Sequence, residues 1–176
     1  AMKRERGEFT GNYAPFGYQK DPDDHHKLVV DEEQAEIVRK IFDWYEGGMS
    51  ANSIAKRLNA MQVMTPGDFK IRDGCKSFIT HDQKSSKIRT WAVNTVATIL
   101  KNEVYIGNMV QGKHKSASYR SKKMVLTDES EWTVVEGTHE PIISDEQFAI
   151  VHERYARRTR VAPEQTHTCL LYTSPS

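Results

Sequence analysis

Asn94, Thr95, Thr98 and Lys101 fall on one side of the segment TWAVNTVATILK, residues 90–101, when it is wound as a helix at roughly 100° per residue. A solvated helix face is usually rich in Glu and Lys, and this one is small and polar. Asn can make a bidentate contact to adenine. The Thr methyl can touch the methyl of thymine while its hydroxyl bonds a base or a phosphate, and Lys can reach guanine or the backbone. Thr90 stands where an N-cap is expected. Lys84, Lys87 and Arg89 precede it as candidate phosphate contacts. These residue types suit a helix laid into the major groove of a duplex. A plain surface helix whose polar positions meet no partner is the competing reading of the same pattern.

Charge along the chain favours a polyanion. The formal net charge is only +1. Residues 84–123, however, carry nine Lys or Arg against one acid, Glu103, whereas residues 127–153 carry eight acids and no Lys or Arg. Residues 21–50 carry nine acids and three bases. Blocks of this kind present a basic face to one partner and turn acidic segments elsewhere. Lys113, Lys115 and Arg120 in KHKSASYRSKK are further candidate phosphate contacts, and Lys3, Arg4 and Arg6 make the N-terminal segment basic.

The elements that must position these residues follow from periodicity and punctuation. Asp31 caps a helix with Glu32 and Glu33 in its first turn, Ala35, Ile37, Val38, Ile41, Phe42 and Tyr45 facing inward, and Gly47-Gly48 ending it. Ser50 caps a second helix whose inward residues are Ile54, Ala55, Leu58 and Met61. Thr65-Pro66-Gly67 is expected to break the chain, and residues 67–89 to form a long polar loop. In the helix that follows, Ala92, Val93, Val96, Ala97, Ile99 and Leu100 fill the apolar arc, and Trp91 is expected to fold back into the core. KLVV, NMVQGK, MVLTD and EWTVVEG read as short strands. Ser144 caps a last helix with Phe148, Val151 and Tyr155 inward. The fold class expected is α+β: three main helices in a helix-turn-helix-like arrangement with a long insertion, and a small antiparallel strand region.

Other chemistry finds little support. A length of 176 residues suits one domain, and 38% apolar content can build its core. No run of about 18 apolar residues suggests a membrane span. No secretory leader is apparent, and two cysteines cannot frame a disulfide scaffold, so a cytoplasmic setting is expected. Seven histidines invite a metal, but His25-His26 are adjacent and the others lack ligand spacing with either cysteine. His139 reads as a structural turn histidine rather than half of an acid–base pair with Glu136. Ser50, Ser53 and Ser144 read as caps or surface residues. No catalytic residue, metal or cofactor is expected.

Four motifs in order and at suitable spacing carry a resemblance: GNYAPFGY, DEEQAEIVRKIFDWYEGGMSANSIAKRLN, TWAVNTVATILKNEVYIGNMVQGK and WTVVEGTHEPIISDEQFAIV. Together they resemble the recombinase DNA-binding domain of the large serine recombinases, the integrases and transposases of phages and mobile elements. The resemblance covers about residues 7–158. It implies a double-stranded DNA partner in the form of an attachment half-site, and a catalytic domain and a zinc ribbon as neighbours in the parent protein. It also implies that residues 90–101 enter the major groove, with Lys3, Arg4 and Arg6 along the adjacent minor groove. Strand exchange in such enzymes uses serine attack on a phosphodiester, which this chain is not expected to perform.

The expected organisation is therefore 1–12 as the end of a long linker helix and a basic linker, 13–160 as the DNA-binding domain, and 161–176 as a disordered or foreign tail. Lone Cys169 departs from the paired cysteines of a zinc ribbon. The chain is expected to be monomeric. A transcriptional regulator using the same domain, and a protein-interaction module whose polar helix face meets a protein, remain the alternatives.

Overall fold

The computed structural model describes residues 6–74, 89–112, 114–118, 121–128, 130 and 132–159. Helix α1 (Glu32–Glu46) starts as the sequence predicts. Asp31 is extended, and its carboxylate accepts from the Gln34 backbone N–H at 3.3 Å and from the Gln34 amide at 2.7 Å. It stops at Gly47, with Gly48 at φ +109°, a left-handed value that suits glycine. Helix α2 (Ala51–Ala60) begins at Ser50, whose hydroxyl accepts from the Ser53 N–H at 3.1 Å.

Thr65-Pro66-Gly67 does not break the chain. It opens a short helix, α3 (Pro66–Arg72), in which Thr65 and Asp68 form a reciprocal capping box and Pro66 occupies the first turn. The missing N–H of proline costs nothing there, because first-turn donors have no intrahelical acceptor. The expected polar loop thus contains a helix, with Phe69 buried. The rest of that loop, 75–88, lies outside the described residues.

Helix α4 (Val93–Leu100) is the segment of interest, and it starts later than expected. Its N-cap is Ala92, which makes no side-chain capping bond; Thr90 is exposed and does not cap it. Val93 is also exposed rather than inward, while Val96, Ile99 and Leu100 are buried. A 3-10 turn (Glu103–Ile106) follows, capped by Asn102 and ended by Gly107 at φ +87°. Helix α5 (Asp145–Thr159) closes the order. The Ser144 hydroxyl accepts from the Gln147 N–H at 3.2 Å, as its expected capping role requires.

Among the described residues, six strands pair as three antiparallel ribbons: β1 (Tyr18–Lys20) with β2 (Leu28–Val30), β3 (Met109–Gln111) with β6 (Thr133–Val135), and β4 (His114–Ser118) with β5 (Ser121–Leu126). The last two are nested, so strands β3 to β6 form an arm closed by β3 and β6. Met109 lies opposite Val135, and His114 opposite Leu126. The arm is the antiparallel strand region expected, and the architecture is α+β.

Helix α1 is the spine. It packs against α2, α4 and α5, and Val38, Ile41 and Phe42 are fully buried. Ile54 and Leu58 of α2, Val96 and Leu100 of α4, and Phe148 and Val151 of α5 complete this layer. Each large apolar side chain buried this way contributes about 1.5–3 kcal/mol. Packing of α2 against α4 gives the helix-turn-helix-like pair, with residues 61–92 inserted between them.

Candidate nucleic-acid interface

The packing that buries Val96, Ile99 and Leu100 turns the opposite face of α4 outward. Asn94 and Thr98 are exposed and Thr95 is half-buried. The Thr98 hydroxyl donates to the Asn94 carbonyl at 2.8 Å. Its proton is therefore spent within the helix, and Thr98 offers a partner its methyl group and oxygen lone pairs. These residues line an open groove of about 390 Å³, walled by Pro15 and Pro66 and floored by Phe16, Ile99 and Tyr105. The lining contains no acidic residue.

What fixes α4 in this orientation is a contact from α2. The Asn59 side chain accepts from the Trp91 N–H at 2.7 Å and donates to the Trp91 carbonyl at 3.1 Å. The Trp91 indole, 3% exposed as the core reading requires, donates to the Val63 carbonyl at 3.0 Å. Trp91 also packs edge-on against Phe16, at 5.7 Å between centroids. Just after it, Ala92 is extended and stands at the N-cap, so the helix begins at Val93 and Thr90 does not cap it.

Lys101 shares the wheel position of Asn94 and Thr98, but its ammonium lies over the Tyr155 ring at 4.4 Å from the centroid. It is not brought into the groove; Asn102 is. Arg89 lies 3.7 Å from the Asp68 carboxylate, so this cation is held at the start of α3. Arg6 is exposed. Lys115 lies in β4. Lys3, Arg4, Lys84, Lys87, Lys113 and Arg120 lie outside the described residues.

Three acids of α1 are paired with cations. Glu32 pairs with Arg39 at 2.5 Å, Glu36 with Lys40 at 2.7 Å and Glu33 with Arg72 of α3 at 2.8 Å. The hydrogen bond from Lys40 holds the Glu36 carboxyl below its ordinary range. These pairs are exposed and hold little energy.

His139 is structural. Its Nε2 lies 2.7 Å from the Val104 carbonyl and its Nδ1 2.7 Å from the Thr138 hydroxyl. A carbonyl only accepts, so Nε2 carries the proton and Nδ1 accepts from Thr138. Burial pushes its pKa below the ordinary histidine value. Among the described residues, no three His, Cys, Asp or Glu side chains are grouped to hold a metal, and no helix is long and apolar enough to cross a membrane.

Sequence reasoning missed Asn59 and Asn102. Asn59 lies in the last turn of α2, where a polar residue raises no flag. Asn102, followed by an acid and then the apolar Val104, carried a readable signal, since Asn-x-x before a short apolar run is a capping pattern.

Three comparisons bear on this arrangement. The Recombinase family matches residues 32–158. Among curated proteins, the chain is 30% identical over 82 residues to the uncharacterized protein YefB of Bacillus subtilis (strain 168), which spans 47% of this chain and 27% of YefB. Among solved structures, one described as "Sequence Requirements of the Listeria innocua prophage attP site" matches 89% of this chain and 49% of that one, with 25% identity and a TM-score of 0.53. Another, described as "Crystal Structure of a LSR-DNA Complex", matches 95% of this chain and 39% of that one, with 24% identity and a TM-score of 0.57, a likeness of fold. The chain thus spans about a quarter of the curated relative and less than half of each structure. With the family matched from the first residue of α1 almost to the end of α5, the chain belongs to the Recombinase family.

Proposed function

We propose that this chain is a sequence-specific, double-stranded DNA-binding domain of a large serine recombinase, and that it holds one attachment half-site while a separate domain carries out strand exchange. The observation that carries the reading is the outward face of α4, with Asn94, Thr95 and Thr98 beside an acid-free groove on a helix keyed to α2. Membership of the Recombinase family and the fold shared with an LSR–DNA complex support it. In this reading α4 enters the major groove and Asn94 reads a base edge. The basic residues Lys3, Arg4 and Arg6 follow the neighbouring minor groove, and the cations of the β4–β5 arm meet phosphates.

Ser50 and Ser144 serve as helix caps, so neither is offered as a nucleophile. The chain on its own would bind DNA as a monomer without cutting it. Zinc-ribbon and catalytic neighbours would supply the remaining contacts and the chemistry.

Selection from a randomised duplex library at about 150 mM salt, near physiological ionic strength, tests this. Enrichment of one asymmetric motif is the expected result. Binding that shows neither sequence enrichment nor steep salt dependence would overturn it, because phosphate contacts release counterions and a neutral protein-binding face does not.

A further inference from the structure

The chain turns out of α4 at Asn102, and both backbone polar groups of that residue are bonded. Its N–H donates to the Ile99 carbonyl at 3.2 Å, and its carbonyl accepts from the Tyr105 N–H at 3.3 Å. Its side chain caps the 3-10 turn by accepting from the Val104 N–H at 3.5 Å. A backbone N–H can only donate, so the side-chain atom turned toward it is Oδ1. At that length the bond orients the amide more than it stabilises the turn. The Nδ2 donors of Asn102 are left over, with no hydrogen-bond partner among the described residues.

Those donors belong to the groove beside α4, which Asn102 lines together with Asn94 and Thr98. Positions 94, 98 and 102 are four apart, and a helix rises about 6 Å over four residues. The row therefore runs along α4 and past its end, and Asn102 stands several base-pair steps of about 3.4 Å away from Asn94. Asn102 also lines an adjoining groove of about 310 Å³, which it shares with Thr10 and Gln111 and which again has no acidic residue in its lining. The acid-free surface thus continues beyond α4 to the end of β3. Lys101, next in sequence, is drawn away to Tyr155. Among the residues lining the groove beside α4, Asn94 and Asn102 are the ones that carry side-chain N–H donors. A donor covered by a partner must meet an acceptor there, because a buried unpaired donor carries its full desolvation cost.

We propose that Asn102 is a specificity-determining residue: its amide nitrogen reads a hydrogen-bond acceptor on a major-groove base edge, at a position separate from that of Asn94. The proposal rests on the DNA-binding reading. The two asparagines differ in what they can offer. The Asn94 side chain has no bond among the described residues, so its oxygen and nitrogen together can meet adenine at N6 and N7. Asn102 has committed its oxygen to Val104 and can only donate. Guanine O6 or N7, adenine N7 and thymine O4 satisfy it. Cytosine does not, since its N4 is itself a donor and would bring two donors face to face.

The test is selection from a randomised duplex library with the whole chain, as wild type, Asn102→Asp, Asn102→Ser and Asn94→Ala. Aspartate and serine both keep an oxygen that caps the turn, and thermal unfolding checks that it is kept. The readout is base preference position by position, which separates base reading from the general repulsion between an added carboxylate and phosphates. The wild type is expected to exclude cytosine at one position other than the one relaxed by Asn94→Ala. Asn102→Ser should reduce that exclusion by about tenfold, the worth of one hydrogen bond. Asn102→Asp, whose remaining oxygen only accepts, should favour cytosine there. A motif unchanged in Asn102→Ser overturns the proposal and leaves the DNA-binding reading standing. Preferences weakened evenly across the site, with a lowered unfolding midpoint, assign Asn102 to the cap alone and overturn it as well. A wild type that enriches no motif overturns the sequence-reading function itself, and the proposal with it.

Discussion

Asn59 grips the backbone of Trp91 at both its N–H and its carbonyl, across 32 residues of sequence. The end of α2 therefore fixes the start of α4 directly, and the chain between them need not transmit the register. An insertion this long can be tolerated in a helix-turn-helix-like pair for that reason: the Asn59 amide, together with the Trp91 indole on the Val63 carbonyl, holds its ends instead of a tight turn. Asn59→Ala would leave two part-buried backbone groups of Trp91 without their partner, at about 1–3 kcal/mol for each group that water does not reach. Urea denaturation should show this loss, with DNA affinity falling further because α4 loses its fixed start. A midpoint equal to that of the wild type would mean that Trp91 is held by its indole alone.

Thr98 makes a sharper prediction than its position on a helical wheel allows. Its hydroxyl proton is already donated to the Asn94 carbonyl, so what it offers a base is its methyl and an oxygen that can only accept, and of these the methyl is the group suited to thymine. Thr98→Val should retain most affinity for the selected site. Thr98→Ser should lose part of it, and replacing thymine by uracil opposite this residue should weaken the wild type but not the Ser variant. Asn94→Ala should cost roughly 1–3 kcal/mol on the selected site and little on random duplex. If Thr98→Val instead costs as much as Asn94→Ala, the hydroxyl oxygen itself contacts DNA rather than the methyl.

These two cases mark what was legible in the sequence. Asp31, Ser50 and Ser144 announced their helices because a capping side chain acts within three residues of itself, so the signal is local. The burial of Trp91 and the structural role of His139 were also anticipated. Thr65-Pro66-Gly67-Asp68 was equally local but was read by its proline and glycine, when Thr65 and Asp68 three apart spell a capping box. The start of α4 and the direction of Lys101 were not readable at all. Asn59 displaces the first, and Tyr155, far along the chain, draws the second away from the groove. Tertiary partners of this kind leave no trace in periodicity.

His139 gives the fold a pH dependence of known sign. Burial lowers its folded pKa below its ordinary value of 6.5. The unfolded chain therefore binds the proton more readily, and acidification favours unfolding. The contribution is complete above about pH 6.5 and is lost as pH falls toward the depressed folded value. Thr138 softens the change, since its hydroxyl can turn to the Gly107 carbonyl at 3.2 Å when Nδ1 is protonated. Unfolding free energies measured in urea should decline on acidification, and His139→Asn should decline less steeply than the wild type. Parallel slopes would assign the acid sensitivity to other groups.

Two buried tyrosines stack 6.2 Å apart, and their hydroxyls have opposite standing. That of Tyr18 lies 2.9 Å from the Glu140 carbonyl and 3.1 Å from that of Val104, and it ties β1 to the turn before α5. Tyr105 is 1% exposed, and its hydroxyl has no hydrogen-bond partner among the described residues. Burial raises the pKa of both. Removing a bonded hydroxyl leaves its acceptors stranded, whereas removing an unbonded one relieves a desolvated polar atom. Tyr18→Phe should therefore destabilise by about 1 kcal/mol, and Tyr105→Phe should be neutral or stabilising. Thermal unfolding of the two variants side by side decides it. A loss at Tyr105 as large as that at Tyr18 would show that the Tyr105 hydroxyl is bonded in solution, through a water held in the groove beneath α4.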